Sequence, residues 1–216
     1  MKDLIIIGAG GHARIVASIL SAKNEYNILE FVDTYKKYED EKINGVPVVQ
    51  VNSIINYLKE KDIDNIFLAI GDNKKRKKLY KEVKNRYNFI NCIHPNAEIE
   101  KNSIIGKGVF IGSGVVIGAE VKISDNVIIN NGVVISHETK IGANSHLGPG
   151  VNIAGRVNVG SDTFIGIGSS VIDNLNIGNN VVIGAGSVVI NNIKDNIRPR
   201  GINKKVISFG IIWCFK

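Results

Sequence analysis

Four histidines are the residues of this chain best suited to move protons: His12, His94, His137 and His146. Imidazole is the side chain that gains and loses a proton near neutral pH, so each is a candidate general acid or base. Glu138 directly follows His137, and a carboxylate beside an imidazole can orient the ring. The histidines do not show the short spacing of a three-histidine zinc site, so we expect acid–base chemistry and no metal.

A glycine-rich turn indicates a second kind of chemistry, the binding of phosphate. An apolar run at 4–7 leads into Gly8-Ala9-Gly10-Gly11-His12-Ala13, and Asp33 lies 20 residues beyond Ala13. The pattern matches the dinucleotide fingerprint, in which backbone amides receive a phosphate and the acid meets a hydroxyl. About 92 residues precede the repeat described below, so only one mononucleotide-binding half fits. A tight turn without a ligand is the alternative.

The elements around this turn alternate between strand and helix. Short apolar runs predict strands at 4–7, 28–32, 46–49 and 66–70, and amphipathic stretches predict helices at 15–22, 54–60 and 74–87. This alternation favours a parallel sheet wound with helices over residues 1–92. We interpret the basic run at 74–86 as a solvated helix face, because no aromatic residues interleave it as nucleic-acid binding would require.

A six-residue repeat organises the second half. An Ile, Leu or Val recurs at every sixth position from Ile93 to Val189, and small residues dominate a second column four positions later. A period of six fits neither a helix nor one long strand, but it fits short strands joined by turns. Three hexapeptides make one coil of 18 residues, and coils stack about 4.8 Å apart. Glycines after many of these anchors are interpreted as supplying the freedom that tight corners need.

Coil arithmetic places residues 18 apart beside each other. His137 is therefore flanked by Ala119 and Gly155, which leave a notch beside the imidazole, and the Gly155 N–H becomes a candidate oxyanion donor. His146 is half a coil round the prism and points to the opposite side. The two histidines can share a site only across a subunit interface, so we expect a homotrimer.

The repeat resembles that of the hexapeptide-repeat acyltransferases, whose fold is a left-handed parallel β-helix. With the Gly-Ala-Gly-Gly-His turn before it, residues 3–195 resemble the bacterial sugar acetyltransferases: the bacillosamine-pathway and perosamine N-acetyltransferases and the sialic acid O-acetyltransferases. This resemblance implies an α/β, half-Rossmann-like N-terminal domain (1–92), a left-handed parallel β-helix (93–195) and a C-terminal tail (196–216).

The resemblance also implies roles for individual residues. His137 is the general base, Glu138 orients it, and His146 lines the acetyl-CoA site. Ile167 and Ala185 line the pantetheine groove, while Lys204 and Lys205 stand where relatives meet the phosphates of CoA. Five residues of the N-terminal domain would hold a nucleotide-linked sugar: Gly10, Gly11, His12, Asp33 and Gly71.

The functional expectation is an acetyl-CoA-dependent N-acetyltransferase of surface-glycan biosynthesis. It would act on the 4-amino group of a nucleotide-linked amino-dideoxy sugar by direct attack, without an acyl-enzyme. The alternatives are an O-acetyltransferase of a sialic-acid-type sugar and a non-catalytic sugar-nucleotide-binding protein. The net charge of +7 suits anionic ligands, no apolar run is long enough to span a membrane, and two cysteines predict a reducing, cytoplasmic location.

Overall fold

A computed structural model describes residues 1–197 of the chain. Lys204 and Lys205, the predicted ligands of the CoA phosphates, lie outside the described residues. Across residues 1–197, no helix combines the length and the apolar character needed to cross a membrane.

The N-terminal part is a twisted sheet with helices. Its strands follow in sheet order β3-β4-β2-β1-β5-β6, and all neighbours are parallel except the β3–β4 pair. The elements are β1 (Lys2–Ile7), α1 (Gly11–Lys23), β2 (Tyr26–Asp33), β3 (Lys42–Ile43), β4 (Val46–Gln50), α2 (Ile54–Lys59), β5 (Asn65–Leu68), α3 (Asn73–Val83) and β6 (Asn88–Phe89).

Local chemistry sets the limits of these elements. The strand β1 is apolar and buried because helices cover both faces of a parallel sheet. Gly8, with φ of +110°, turns the chain out of β1 where an added Cβ would lie 2.7 Å from the Ala69 carbonyl oxygen. Asn24, in the left-handed conformation, ends α1. Ser53 caps α2 as Asp72 caps α3, each accepting a backbone N–H of the first turn.

The C-terminal part is a three-faced prism of two-residue strands. The first face holds β7 (Cys92–Ile93), β10 (Phe110–Ile111), β13 (Ile128–Ile129), β16 (His146–Leu147), β19 (Phe164–Ile165) and β22 (Val182–Ile183). The second holds β8 (Glu98–Ile99), β11 (Val116–Ile117), β14 (Val134–Ile135), β17 (Asn152–Ile153), β20 (Ser170–Val171) and β23 (Val188–Val189). The third holds β9 (Ile104–Ile105), β12 (Lys122–Ile123), β15 (Lys140–Ile141), β18 (Asn158–Val159) and β21 (Asn176–Ile177). Every neighbouring pair is parallel and 18 residues apart, as the period predicts.

The prism core consists of the predicted anchors, with small residues filling the corners. Leu147, Ile153 and Ile165 are buried inside. Hydroxyl residues are tolerated at the corners because they satisfy the backbone there. Ser145 Oγ, for example, donates to the Gly160 carbonyl at 2.8 Å and accepts from the Thr163 N–H at 3.1 Å.

The interpretation of the glycines after the anchors is wrong. In the described structure the glycines at 106, 112, 118, 142, 148, 160, 166, 178 and 184 do not have a positive φ. Left-handed residues occur two positions later, as at Glu120, Asn126 and Glu138. The glycines instead allow coils to approach, because an added Cβ at Gly142 or Gly160 would lie 2.5 Å from the backbone of the next coil.

The final coil departs from the predicted register. The sequence pattern assigns Ile193 to the corner column, but the structure pairs it with Ile177, 16 residues earlier. The Asn179 N–H likewise donates to Asp195, also 16 residues away, at 2.8 Å. The coil is therefore two residues short, and Ile193 packs against the core in the place of an anchor.

The N-terminal part covers the first face of the prism. Cys92, Phe110 and Ile128 point outward from this face and are 0–2% exposed, because they pack in one cluster with residues of β1 and α1. The outward residues of the second and third faces meet no such cover.

We predict that Gly166→Ala lowers the free energy of unfolding by about 1–3 kcal/mol, because its Cβ would lie 2.5 Å from the Ala185 nitrogen. The matched control is Gly184→Ala, at the same corner one coil later, where the added Cβ meets only Ser187 Oγ at 3.8 Å. That variant should change stability by less than about 0.5 kcal/mol. Urea unfolding at one protein concentration measures both, and equal losses would contradict the close-approach explanation.

Candidate functional site

A cleft of about 650 Å³ opens between the glycine-rich turn and α3. The sequence-predicted residues of the N-terminal domain all line it: Gly10, Gly11, His12, Asp33 and Gly71. The structure thus gathers in one place residues that lie up to 61 positions apart in the chain.

The glycine-rich end of the cleft is built to receive an anion. Gly10 precedes α1 without a side-chain cap, so the first-turn amides of the helix have no capping oxygen from it. Asp33 stabilises the turn, since its carboxylate accepts from the Ala9 N–H at 2.8 Å and the Thr34 N–H at 2.7 Å. A phosphate at the turn and a hydroxyl near Asp33 are the ligands that suit this geometry.

The helix α3 forms the opposite wall. Lys75 and Lys78 line the cleft and are placed to neutralise phosphate charge. The interpretation of this helix as only a solvated face is therefore wrong. Sequence reasoning missed it because a helix with basic residues on every side gives no periodic signal of which side is covered.

Arg76, on the same helix, is 1% exposed and joins the two parts of the molecule. Its guanidinium donates to the carbonyls of Ile70 and Gly71 at 3.0 and 3.3 Å in the cleft rim. On the prism it donates to the carbonyls of Asn126 and Asn144 at 3.2 and 2.9 Å. A fifth bond, to Asn73 Oδ1 at 2.9 Å, completes its donor set. Burial lowers the pKa of Arg76 to about 10, an effect that Asp72 and Asp162 oppose.

His12 and His146 meet at the inner end of the cleft. His12 lies edge-on to Phe110 at 4.6 Å between ring centroids, and His146 lies edge-on to Phe164 at 5.2 Å. His12 Nε2 and His146 Nδ1 are buried without a hydrogen-bond partner among the described residues. Sequence analysis placed His146 at the acetyl-CoA site; in the chain itself it lies against the N-terminal domain near Gly71, and its role toward the coenzyme stays a prediction.

Burial keeps both of these imidazoles neutral. It lowers the pKa of His12 to about 3, with smaller contributions in the same direction from His146 and Arg76. It lowers the pKa of His146 to about 4, helped by Arg76 and opposed by the Gly71 carbonyl. Two neutral rings with free nitrogens can accept or donate a hydrogen bond to an uncharged ligand group.

His137 and Glu138 lie at another edge, where the second face turns into the third. His137 Nδ1 is 3.0 Å from Glu138 Oε2, and because a carboxylate only accepts, Nδ1 carries the hydrogen. The second ring nitrogen, Nε2, is then the basic one. The ring lies over Gly155, where an added Cβ would be 2.6 Å from Nε2. The structure thus brings His137, Glu138 and Gly155 together, with Gly155 making room for the ring.

The predicted groove residues occupy a third edge, between the first and second faces. Ile167 is 57% exposed there, and Ala185 follows one coil later. In a single chain the second face separates this edge from His137. A groove of about 420 Å³ runs along that face, bordered by Ser136, Ala154 and Asp173 beside the His137 edge.

Neither a metal site nor a reactive thiol is found among residues 1–197. No group of three or more His, Cys, Asp or Glu side chains there could hold a metal ion. Cys92 is fully buried, and burial raises the pKa of its thiol to about 12, which makes it a poor nucleophile.

Two family models match the chain. The PglD N-terminal domain matches residues 3–83, and the bacterial transferase hexapeptide family (six repeats) matches residues 120–155. Among curated proteins, UDP-N-acetylbacillosamine N-acetyltransferase of Bacillus subtilis is 33% identical over 109 residues. That match covers 48% of each protein, so it spans about half the length of the curated relative.

Solved structures match almost the whole chain. GDP-perosamine N-acetyltransferase from Caulobacter crescentus, a histidine-to-alanine mutant in complex with CoA and GDP-perosamine, is 36% identical with a TM-score of 0.82. The match covers 91% of this chain and 92% of that one. The acetyltransferase domain of PglB from Neisseria gonorrhoeae, in complex with acetyl coenzyme A, is 29% identical with a TM-score of 0.80, covering 90% and 94%. The predicted fold class, an α/β domain followed by a left-handed parallel β-helix, is confirmed.

We predict that the protein loses stability between pH 6.5 and pH 4 through His12 and His146. Unfolded histidine has a pKa of about 6.5, so in this window the unfolded chain binds protons that the folded chain excludes. At pH 5 each ring should cost about 2 kcal/mol, given folded pKa values of about 3 and 4. Unfolding at pH 7 and pH 5 should therefore show a smaller pH dependence for the double variant His12→Asn, His146→Asn. The same slope in both proteins would contradict the burial effect.

Proposed function

This chain belongs to the family of hexapeptide-repeat sugar acetyltransferases that includes the perosamine N-acetyltransferases, and from that membership we propose its reaction. The protein transfers the acetyl group of acetyl-CoA to the 4-amino group of a nucleotide-linked amino-dideoxy sugar. The cytoplasmic location expected from the cysteine content stays a prediction.

The observation that carries the proposal is the state of His137. Glu138 fixes the Nδ1–H at 3.0 Å, so Nε2 has a free lone pair, and the ring is about half exposed at an edge of the prism. An imidazole held in this tautomer, with its basic nitrogen toward a groove, is suited to remove a proton from an incoming amine.

The reaction then follows from this geometry. The neutral amine attacks the thioester carbonyl, forming the C–N bond, while His137 Nε2 takes a proton from the nitrogen. The C–S bond breaks as the tetrahedral intermediate collapses, and the imidazolium returns its proton to the departing thiolate of CoA. Glu138 stabilises the imidazolium in between. The Gly155 N–H is proposed as the donor to the oxyanion.

The cleft supports a nucleotide-linked sugar as acceptor. Its glycine-rich turn and Lys75 and Lys78 suit a diphosphate, and Asp33 suits a hydroxyl. Beyond the turn, the neutral rings of His12 and His146 suit an uncharged sugar group. The enzymes of Caulobacter crescentus and Bacillus subtilis are named for GDP- and UDP-linked amino sugars, respectively, which makes both nucleotides natural test substrates.

A homotrimer completes the site. The outward residues of the second face include Val116 and Val188, 37% and 57% exposed, so this face is apolar and uncovered. If three copies turn this face toward a common axis, the edge with Ile167 in one copy meets the edge with His137 in the next. The groove of one subunit and the base of its neighbour then form one site.

This arrangement also suits the shape of the coenzyme. At about 4.8 Å per coil, Ile167 and Ala185 lie roughly 8 and 13 Å along the axis from His137. An extended pantetheine arm can therefore run along the groove and present its thioester to the imidazole.

We predict that His137→Asn lowers kcat at least 100-fold and leaves the fold intact, because it removes the general base from an exposed edge. Release of the CoA thiol measures turnover with GDP- and UDP-linked 4-amino sugars and with a sialic acid. The matched control is His94→Asn, since His94 Nδ1 accepts only a local N–H, that of Asn96, at 3.0 Å. Unchanged turnover in His137→Asn would remove the base assignment, and acetylation of sialic acid alone would favour the O-acetyltransferase alternative.

We predict that two inactive variants restore activity when assembled together. His137→Ala lacks the base, and Ile167→Trp blocks the groove. In trimers refolded from an equal mixture, random association leaves about one quarter of the interfaces with an intact base facing an open groove. Mixing without exchange of subunits is the control. A mixture that exchanges subunits and stays inactive would show that the site lies within one chain.

A further inference from the structure

We propose that Arg156 is a positioning residue for acetyl transfer, holding the Glu138 carboxylate where it can orient His137. This inference rests on the proposed function. It concerns a residue one coil beyond the His–Glu pair, which sequence analysis did not single out.

Arg156 and Glu138 occupy equivalent places on the prism. They are 18 residues apart, and both have left-handed backbones, with φ of 56° and 58°, so their side chains leave the same edge in adjacent coils. Arg156 Nη1 lies 3.6 Å from Glu138 Oε2, the oxygen that is 3.0 Å from His137 Nδ1. The arginine and the histidine therefore share one carboxylate oxygen.

The far side of Arg156 is anchored in the following coil. Its Nε donates to Asn174 Oδ1 at 2.7 Å, and its Nη2 lies 3.8 Å from Asp173 Oδ2. The guanidinium is thus fixed from the side away from His137. Contacts run from Asn174 through Arg156 and Glu138 to the base, across three coils.

The distances explain why the arginine positions the carboxylate and does not take it from the histidine. At 3.6 Å the Arg156–Glu138 contact is longer than a hydrogen bond, whereas the His137–Glu138 contact at 3.0 Å is within bonding range. The Glu138 side chain is 49% exposed, and within residues 1–197 its carboxylate has no other partner. Without Arg156, a glutamate with three rotatable bonds would spend much of its time in solvent.

Lysine cannot replace arginine here. The planar fork lets Nε bond Asn174 while Nη1 reaches Glu138, and an ammonium group is a single point that cannot meet both. We therefore expect Arg156→Lys to behave like Arg156→Gln, although it retains the charge.

The first test is a double-mutant cycle in the full-length protein with acetyl-CoA and the accepted sugar nucleotide. Arg156→Gln should lower kcat about tenfold and leave KM for both substrates within about twofold. In a Glu138→Gln background the same change should have no further effect. Lys140→Gln, an exposed cation in β15 of the neighbouring face, is the control and should match the unmodified protein. An unchanged kcat, or the same tenfold loss in the Glu138→Gln background, would overturn the proposal.

The second test requires no turnover. Nitrogen-15 NMR of the His137 ring should report a proton on Nδ1 in the unmodified protein and a mixture of tautomers in Arg156→Gln. If the unmodified protein acetylates none of the tested sugars, the proposed function fails and this measurement still decides the role of Arg156. The same tautomer in both proteins would refute it.

Discussion

A buried cation that bonds only neutral oxygens holds this molecule in one arrangement. Removing a guanidinium from water is costly, and the cost is offset only if every N–H finds an acceptor. Arg76 meets this condition with five oxygens, two in the cleft rim, one in its own helix and two on the prism. The rim at Gly71 and the lysines of α3 can hold their places beside His146 only while this set is complete.

The prism contributes a ruler. Its coils repeat every 18 residues, so an exposed edge is a column whose members differ by a fixed step and can be changed without disturbing the anchors inside. One edge holds His137, Glu138 and Arg156, another holds Ile167 and Ala185, and α3 packs against the third through Arg76. The chemistry depends on side chains outside the column of buried residues, which explains how a very regular fold can hold an irregular site.

The sequence predicted what repetition or local pattern encodes. The period of six yielded the three faces and the neighbours of His137, because a register that recurs 17 times leaves little ambiguity. Burial of Arg76 escaped prediction because it depends on carbonyls 50 and 68 residues away that any residue type could provide. The role of the glycines was misjudged since composition alone does not separate a left-handed backbone from a close approach of two chains. Arg156 was missed because attention stayed on titratable groups and not on what aims them.

The short final coil bears on how such a solenoid avoids growing into a fibre. An internal coil presents a ring of peptide groups that an identical ring can extend, and an end of the same shape would invite another molecule to continue the stack. Dropping two residues before Ile193 gives the ring a different circumference and shifts its peptide groups out of phase with those of a regular coil. The contraction thus acts as a terminator, making the end of the spiral a poor template for polymerisation.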